Sequence, residues 1–208
     1  MRVRASWWLA LAAFALAGGR ASADPIGPSC GTCQGSIYTL EYDGAPISTT
    51  ATTETFRITL SIDTSGYSGA GSYIDTVAIK VSSSLESATL VAAPGGAGSW
   101  TTWTGGLNAN GCSGSGGGFD CAAAWFIGIP VPDATLYQWT WDIEMDTGIL
   151  FTDPFEATIK VRYVDSDHVK VGDLVSEGIT LQVIPEPASA ALLGGGLLAL
   201  AIFRRQRR

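Results

Sequence analysis

The sequence has little of what most enzymes and nucleic-acid-binding proteins use. Its one histidine is His168, and no Gly-x-Ser-x-Gly motif or Asp-x-Asp-x-Asp-Gly loop accompanies it, so neither a serine hydrolase nor an EF-hand is indicated. Between residues 24 and 187, five basic side chains oppose all nineteen acidic ones, which leaves a formal net charge of −14. A segment this acidic repels polyanions, so nucleic acid is excluded as a partner.

The same segment lacks a hydrophobic period of 3.6 residues. Apolar side chains instead recur at every second position, with turn residues between the runs, which predicts strands. The runs are residues 36–42, 53–63, 73–81, 88–92, 99–104, 122–129, 137–145, 155–164 and 178–184. This number of strands predicts an all-β fold, an antiparallel β-sandwich ectodomain over residues 24–184, with a barrel as the alternative.

Three stretches of the ectodomain show no strand pattern. Residues 24–35 and 182–187 are interpreted as linkers at its two ends. Asn108 to Asp120 is interpreted as a long glycine- and serine-rich loop. No internal repeat of fixed period is present, so a repeat architecture is not indicated.

The first 23 residues have the three parts of a secretory signal peptide. Arg2 and Arg4 precede an apolar run from Trp7 to Ala17, and a small-x-small site with Ala21 and Ala23 follows. We expect the Sec export machinery to recognise residues 1–23 and the mature chain to begin at Asp24. An apolar run of this length is too short for an ordinary transmembrane helix.

The last 24 residues, 185–208, differ in kind from the ectodomain. Pro185, Glu186 and Pro187 block a helix, and the uncharged residues 188–203 then predict one. Sixteen residues rise roughly 24 Å, against about 30 Å of hydrocarbon, so this is a short membrane-inserting helix. The stop-transfer cluster at its end is Arg204, Arg205, Arg207 and Arg208.

A Pro-Glu-Pro motif, a short apolar helix and terminal arginines in this order resemble the PEP-CTERM sorting domain of Gram-negative bacteria. The resemblance implies an exosortase as partner, which removes or transfers the tail near Pro-Glu-Pro. It also implies a transient inner-membrane intermediate, then the cell surface or extracellular matrix, and an association with exopolysaccharide or biofilm. The alternative is a permanent single-pass anchor.

Four cysteines in an exported chain predict disulfides. Three pairings are possible, and proximity in the sequence favours Cys30–Cys33 with Cys112–Cys121. The alternatives are a redox-active Cys-x-x-Cys pair and a four-cysteine zinc site. A redox pair needs a helix N-terminus, whereas Cys30 and Cys33 precede a predicted strand. The gap between Cys112 and Cys121 is wide for a zinc knuckle.

The remaining candidate residues are acids and aromatics. Asp142, Glu144 and Asp146 form a row on one strand face, spread over roughly 13 Å, which makes them weak calcium candidates. Pairs of such acids also permit glycoside hydrolysis, and His168 is the one candidate for a catalytic triad.

Because successive side chains of a strand point to opposite faces, the sequence separates two pairs of tryptophans by the face on which they fall. Trp139 and Trp141 fall on the apolar face of their strand and are expected in the core. Trp100 and Trp103 face opposite ways on theirs, and Trp103 is the weak candidate for contact with a sugar ligand. The sequence predicts an exported surface or matrix protein with no catalytic role and no cofactor. The alternative is a polysaccharide- or calcium-binding β-sandwich module.

Overall fold

The structure is a computed structural model that describes residues 25–81, 85–114, 118–131, 133, 135–148 and 155–183. One compact unit spans Ala23–Ile184. The predicted signal peptide, the Pro-Glu-Pro motif, the helix over 188–203 and the arginine cluster all lie outside the described residues. Within the described ranges, no helix has the length and apolarity needed to cross a membrane.

Strands make up nearly all of the regular structure described. They are β1 (Ile37–Tyr42), β2 (Ser48–Thr49), β3 (Thr53–Asp63), β4 (Tyr73–Lys80), β5 (Leu85–Ala92), β6 (Trp100–Thr104), β7 (Gly106–Asn108), β8 (Gly111–Gly114), β9 (Asp120–Ala124), β10 (Ile129–Pro130), β11 (Leu136–Asp146), β12 (Phe155–Val164) and β13 (Val175–Val183). A short 3-10 helix, Ala97–Ser99, precedes β6. The prediction of an all-β fold is confirmed.

The long central strands alternate between apolar and polar side chains. In β11, the four side chains of Trp139, Trp141, Ile143 and Met145 are fully buried, and the residues between them are not. They lie beside the equally alternating β3, where Trp141 pairs with Ile58 in an antiparallel register. Burying one face of each strand in this way fixes the register, because a slip by one residue would expose every apolar side chain.

The strands form one large sheet in the order β5-β11-β3-β1-β13-β12-β4-β9-β6, with β2 and β10 paired at its sides. A separate hairpin consists of β7 and β8. The expected antiparallel pairing holds except at one ladder, where β1 and β13 run parallel from Leu40↔Leu181 to Tyr42↔Val183. The first and last described long strands thus lie side by side in the middle of the sheet.

The two ends of this sheet fold over and share a core, which makes the fold sandwich-like. Trp100 of β6 meets Trp139 of β11 edge to face, with ring centroids 5.4 Å apart. The hydroxyl groups of Tyr38 in β1 and Tyr163 in β12 are hydrogen-bonded at 2.8 Å. Because β6 and β11 lie near opposite ends of the sheet order, the contact between Trp100 and Trp139 requires the two halves to face each other across buried side chains.

Three interpretations of irregular stretches are wrong. Pro25–Gly35 is not a linker, because Ile26 and Tyr38 exchange two backbone hydrogen bonds (3.0 and 2.8 Å) and Cys33 is fully buried. The Asn108–Asp120 stretch is not wholly loop, because it contains most of the β7–β8 hairpin. Residues 182 and 183 continue β13. Proline and glycine in these places permit tight turns within packed structure.

Candidate functional site

The acidic row predicted on β11 is already bonded to neighbouring strands. Asp142 accepts two hydrogen bonds from Arg57, from Nε and Nη2, both at 2.8 Å. Glu144 accepts bonds from Thr53 Oγ1 at 2.8 Å and from Ser87 Oγ at 3.1 Å. These bonds hold the two carboxylates to their own strands. The row therefore does not converge on one point, as a calcium site requires.

Asp146 is exposed at the end of β11, opposite Thr53, and adds no third ligand. Among the residues that the structure describes, no three His, Cys, Asp or Glu side chains are grouped to hold a metal ion.

His168 lies in an exposed turn, as its acidic neighbours suggested. Its Nδ1 is 3.9 Å from Asp75 Oδ2, and its side chain is 52% exposed. Asp75 itself is buried and accepts a bond from Arg162 Nε at 2.9 Å. The carboxylate nearest to the histidine thus serves an ion pair, and this arrangement gives no support to a catalytic triad.

The buried pair of Arg162 and Asp75 joins separate parts of the fold. Arg162 Nη1 also donates to the carbonyl oxygen of Ala109 at 3.1 Å, in the turn of the β7–β8 hairpin. The guanidinium group lies 3.4 Å from the position that a Cβ would occupy on Gly111. One side chain therefore connects β12, β4 and the hairpin, which is a structural role.

Both disulfides have the pairing that proximity favoured. Cys30–Cys33 spans 5.2 Å and Cys112–Cys121 spans 5.6 Å between Cα atoms, within the usual range for disulfides. No cysteine is free, so the four-cysteine zinc alternative is wrong.

The redox alternative also lacks its structural setting. Cys33 is fully buried, and its backbone amide closes a turn onto the carbonyl oxygen of Cys30 at 3.2 Å. The next regular element is β1, not a helix whose N-terminus would lower a thiol pKa.

The first disulfide belongs to a hydrogen-bonded segment, Pro25–Ser36, which we call the N-terminal segment. Thr32 Oγ1 donates to Glu177 at 2.5 Å, and the buried hydroxyl group of Ser36 is bonded to that of Tyr163 at 3.0 Å. Burial raises the pKa of Tyr163 to about 12 and raises that of Tyr38 as well. The phenols stay protonated and hold this segment on the sheet.

The second disulfide lies on the outer face of the sheet, in what we call the hairpin region, residues 105–121. It packs beside a small apolar cluster, separate from the main core, whose buried members are Ala78, Leu107, Phe119 and Cys121. The ammonium groups of Lys160 and Lys80 lie 4.6 and 5.7 Å from the centroid of the Phe119 ring. Cation–π contacts thus close this cluster toward solvent.

Asp120 is a group that the sequence analysis missed. It begins β9 and is 5% exposed, and burial raises the pKa of its carboxyl group to about 7. Alternation could have revealed it, since Asp120 shares a strand face with Ala122, which lies in the main core.

The predicted burial of Trp139 and Trp141 is confirmed, whereas the contact of Trp103 with a ligand stays a prediction. Trp139 and Trp141 are fully buried, Trp100 is 5% exposed and Trp103 is 45% exposed. The indole N–H groups of Trp139 and Trp141 have no hydrogen-bond partner within the described part of the chain. Trp125, which no sequence argument singled out, is the most exposed of the large apolar side chains at 76%.

Trp103 and Trp125 lie on the same outer face of the sheet. Trp103 pairs with Cys121 in the β6–β9 ladder, and the amide of Trp125 extends that ladder by donating to the carbonyl oxygen of Ser99 at 2.9 Å. Trp100 and Ala122, at the alternate positions, point into the main core. The structure thus brings together two exposed indoles and no catalytic constellation.

These features define a disulfide-bonded all-β domain. The chain carries a PEP-CTERM protein-sorting motif, which matches residues 183–208. The resemblance found in the sequence is thereby confirmed for the tail, and a sorting signal of this kind marks an exported surface protein.

Comparison with solved structures gives only distant likenesses. A putative membrane-anchored protein of Corynebacterium diphtheriae has a TM-score of 0.38 and 13% identity, and covers 79% of this chain and 39% of its own. The collagen-binding subdomain of the Enterococcus faecalis surface protein ACE has a TM-score of 0.35 and 11% identity, over 71% of this chain and 95% of its own. The major pilin subunit BcpA of Bacillus cereus has a TM-score of 0.28 and 10% identity, over 69% of this chain and 39% of its own.

The chain thus spans about two fifths of the corynebacterial protein. No curated protein matches it. Likenesses this weak transfer no activity to this protein.

Proposed function

We propose that this protein is a non-catalytic surface or matrix protein whose C-terminal signal is processed by an exosortase. Residues 1–23 direct export and are removed, residues 24–184 form the ectodomain, and residues 185–208 are the sorting signal. The tail holds the protein at the inner membrane until it is cleaved near Pro185–Pro187. The match of residues 183–208 to the sorting motif carries this proposal.

The fold supports removal of the tail without loss of structure. The sheet's last strand ends at Val183, where it pairs with Tyr42, and Pro185 follows two residues later. All buried side chains of the main core belong to residues 33–181. Cleavage at the motif therefore removes none of the described strands and no side chain of the described core.

The chemistry of the ectodomain supports an extracellular role. Two disulfides suit an oxidising compartment, and the net charge of −14 favours solubility outside the cell. Asp142 is bonded to Arg57, and the carboxylate nearest His168 is bonded to Arg162. We propose that the released protein joins the exopolysaccharide or biofilm matrix in a structural or binding role.

The test is replacement of Pro185 and Pro187 by alanine in the producing bacterium. We expect the variant to keep its tail and to accumulate in the inner membrane, because the motif is what the exosortase recognises. Intact-mass analysis of the C-terminus and cell fractionation measure both effects. Gln206→Ala is the matched control, since it leaves the motif and all four arginines in place.

Deletion of the exosortase should reproduce the effect of the proline changes in the wild-type chain. Two results would contradict this proposal: a wild-type chain that keeps its tail, or processing and location unchanged in both the Pro185→Ala, Pro187→Ala variant and the exosortase deletion.

A further inference from the structure

Two exposed tryptophans lie along one strip of the outer sheet face. Trp103 is opposite Cys121 of β9, and Trp125 lies four residues beyond Cys121, directly after the last residue of β9. Four residues of strand separate the two positions by roughly 13 Å. Exposed indoles are costly to hydrate, so two of them on one face mark a binding surface.

The sheet surface between Trp103 and Trp125 has short side chains and no charge. Thr101 and Ala123 pair there, and both have short side chains. Residues 99–104 and 121–127 contain no charged residue, in an ectodomain whose net charge is −14. The outer-face row through Ala123 continues to Thr76 and then to Arg162, whose charge is paired with Asp75.

Hydrogen-bonding groups flank the same strip. In the described sheet β6 pairs with β9 alone, so its other edge has unpaired backbone groups. On the outer face β6 contributes the hydroxyl group of Thr101, whereas Thr102 and Thr104 alternate with it and lie on the same face as Trp100. The strip thus combines aromatic faces with donors and acceptors that carry no net charge.

We propose that this strip binds a neutral polysaccharide, in a site formed by Trp103, Thr101, Ala123 and Trp125. The C–H faces of pyranose rings stack on the indoles, and the sugar hydroxyl groups bond to Thr101 and the free edge of β6. Positions roughly 13 Å apart along the sheet fit an extended chain and not a single sugar. The acidic ectodomain disfavours an anionic polysaccharide or an anionic membrane, which the uncharged strip gives nothing to attract.

This inference deepens the proposed matrix role and rests on export, but not on tail processing. The test uses the exported protein purified from its producing cells, so a failure of sorting and a failure of binding are separate results. The protein is run through native gels that contain hydroxyethylcellulose, galactomannan, laminarin or dextran, with alginate as the anionic comparison. Retardation by at least one neutral polymer is expected.

Trp103→Ala and Trp125→Ala are each expected to weaken that binding about tenfold, the scale of a truncated aromatic contact. Leu136→Ala is the matched control, because Leu136 is an apolar side chain 58% exposed on a different strand, and it should leave binding unchanged. Both tryptophans are exposed, so the variants should keep the wild-type unfolding midpoint. If the unfolding midpoint of one tryptophan variant changes, the binding of the other variant is the test.

Three results would overturn the proposal. The first is no retardation by any neutral polymer, and the second is equal retardation of wild type and both tryptophan variants. The third is binding by these residues to a different partner, seen as a dimer or as flotation with anionic vesicles that the tryptophan changes abolish.

Discussion

The N-terminal segment and the hairpin region each contain one disulfide, but they are attached to the sheet in different ways. In the N-terminal segment, Gln34 Nε2 donates to the carbonyl oxygen of Asp173 at 2.8 Å, and Ser68 N donates to that of Gln34 at 2.9 Å. These contacts add to those of Ile26, Thr32 and Ser36. Many hydrogen bonds over a short length of chain hold this segment, and its disulfide is one contact among several.

Among the residues that the structure describes, the hairpin region has fewer attachments for its length. Its apolar contacts are those of Leu107 and Phe119, and Arg162 holds its turn at Ala109. The Cys112–Cys121 bond closes a longer and more glycine-rich loop than Cys30–Cys33 does. A covalent bond contributes most where the reduced chain would be most disordered, so the two bonds should differ in their effect.

The largest expected effect is loss of the hairpin disulfide. Replacing Cys112 and Cys121 by alanine should lower the free energy of unfolding by roughly 2.7 kcal/mol, against roughly 1.9 kcal/mol for Cys30 and Cys33, from loop closure alone. The comparison is matched, because Cys121 and Cys33 are both fully buried. Urea unfolding followed by tryptophan fluorescence measures both values.

Hydrogen exchange shows which region loses amide protection when each disulfide is removed. Without its disulfide, the hairpin region should lose amide protection, whereas the amides of Ile26 and Tyr38 should stay protected in the other variant. A larger loss of stability or protection from the Cys30, Cys33 change would contradict the comparison.

The second prediction concerns the hydrogen bonds of the N-terminal segment. Tyr163→Phe removes the hydroxyl group bonded to Ser36 and Tyr38 while keeping the ring that stacks on Tyr67 at 4.7 Å. Buried partners are left unsatisfied, so the free energy of unfolding should fall by about 1–2 kcal/mol. Thermal and urea unfolding measure it.

Tyr137→Phe is the control for this change. It removes a hydroxyl group that donates to the carbonyl oxygen of Pro130 at 3.0 Å near the surface, where water replaces the lost partner. Equal costs for the two tyrosines would mean that the Ser36–Tyr163–Tyr38 bonds do not hold the segment.

The same contrast explains what the sequence could predict. Strands β1, β3, β11 and β12 were located to within one or two residues, because burying one face of a strand produces a period of two that is visible locally. The pairing of the cysteines followed from short loops. Trp103 was recognised because Trp100 and Trp103 fall at positions of opposite parity in a strand.

The rest depends on contacts that local periodicity does not encode. The N-terminal segment and the hairpin region consist largely of small and turn-forming residues, so their packing came from partners such as Tyr163 and Arg162, far away in the sequence. The parallel pairing of β1 with β13 joins the two ends of the ectodomain. Trp125 follows the last residue of β9 and precedes Phe126, so no alternation marked it as exposed.

The third prediction concerns Asp120, the residue before Cys121 of the hairpin disulfide. Burial raises its pKa from 3.8 to about 7 in the folded protein. The folded state therefore binds a proton more tightly than the unfolded state, and the free energy of unfolding should fall as the pH rises from about 4 to about 7. Asp120→Asn removes the buried charge and should raise stability at pH 8, with no gain at pH 4.

Urea unfolding of wild type and Asp120→Asn at both pH values measures this difference. Asp133→Asn is the control, because Asp133 is exposed, and it should change stability little at either pH. An Asp120→Asn protein that is less stable than wild type at pH 8 would show that the carboxylate has a partner and belongs to the attachments of the hairpin region.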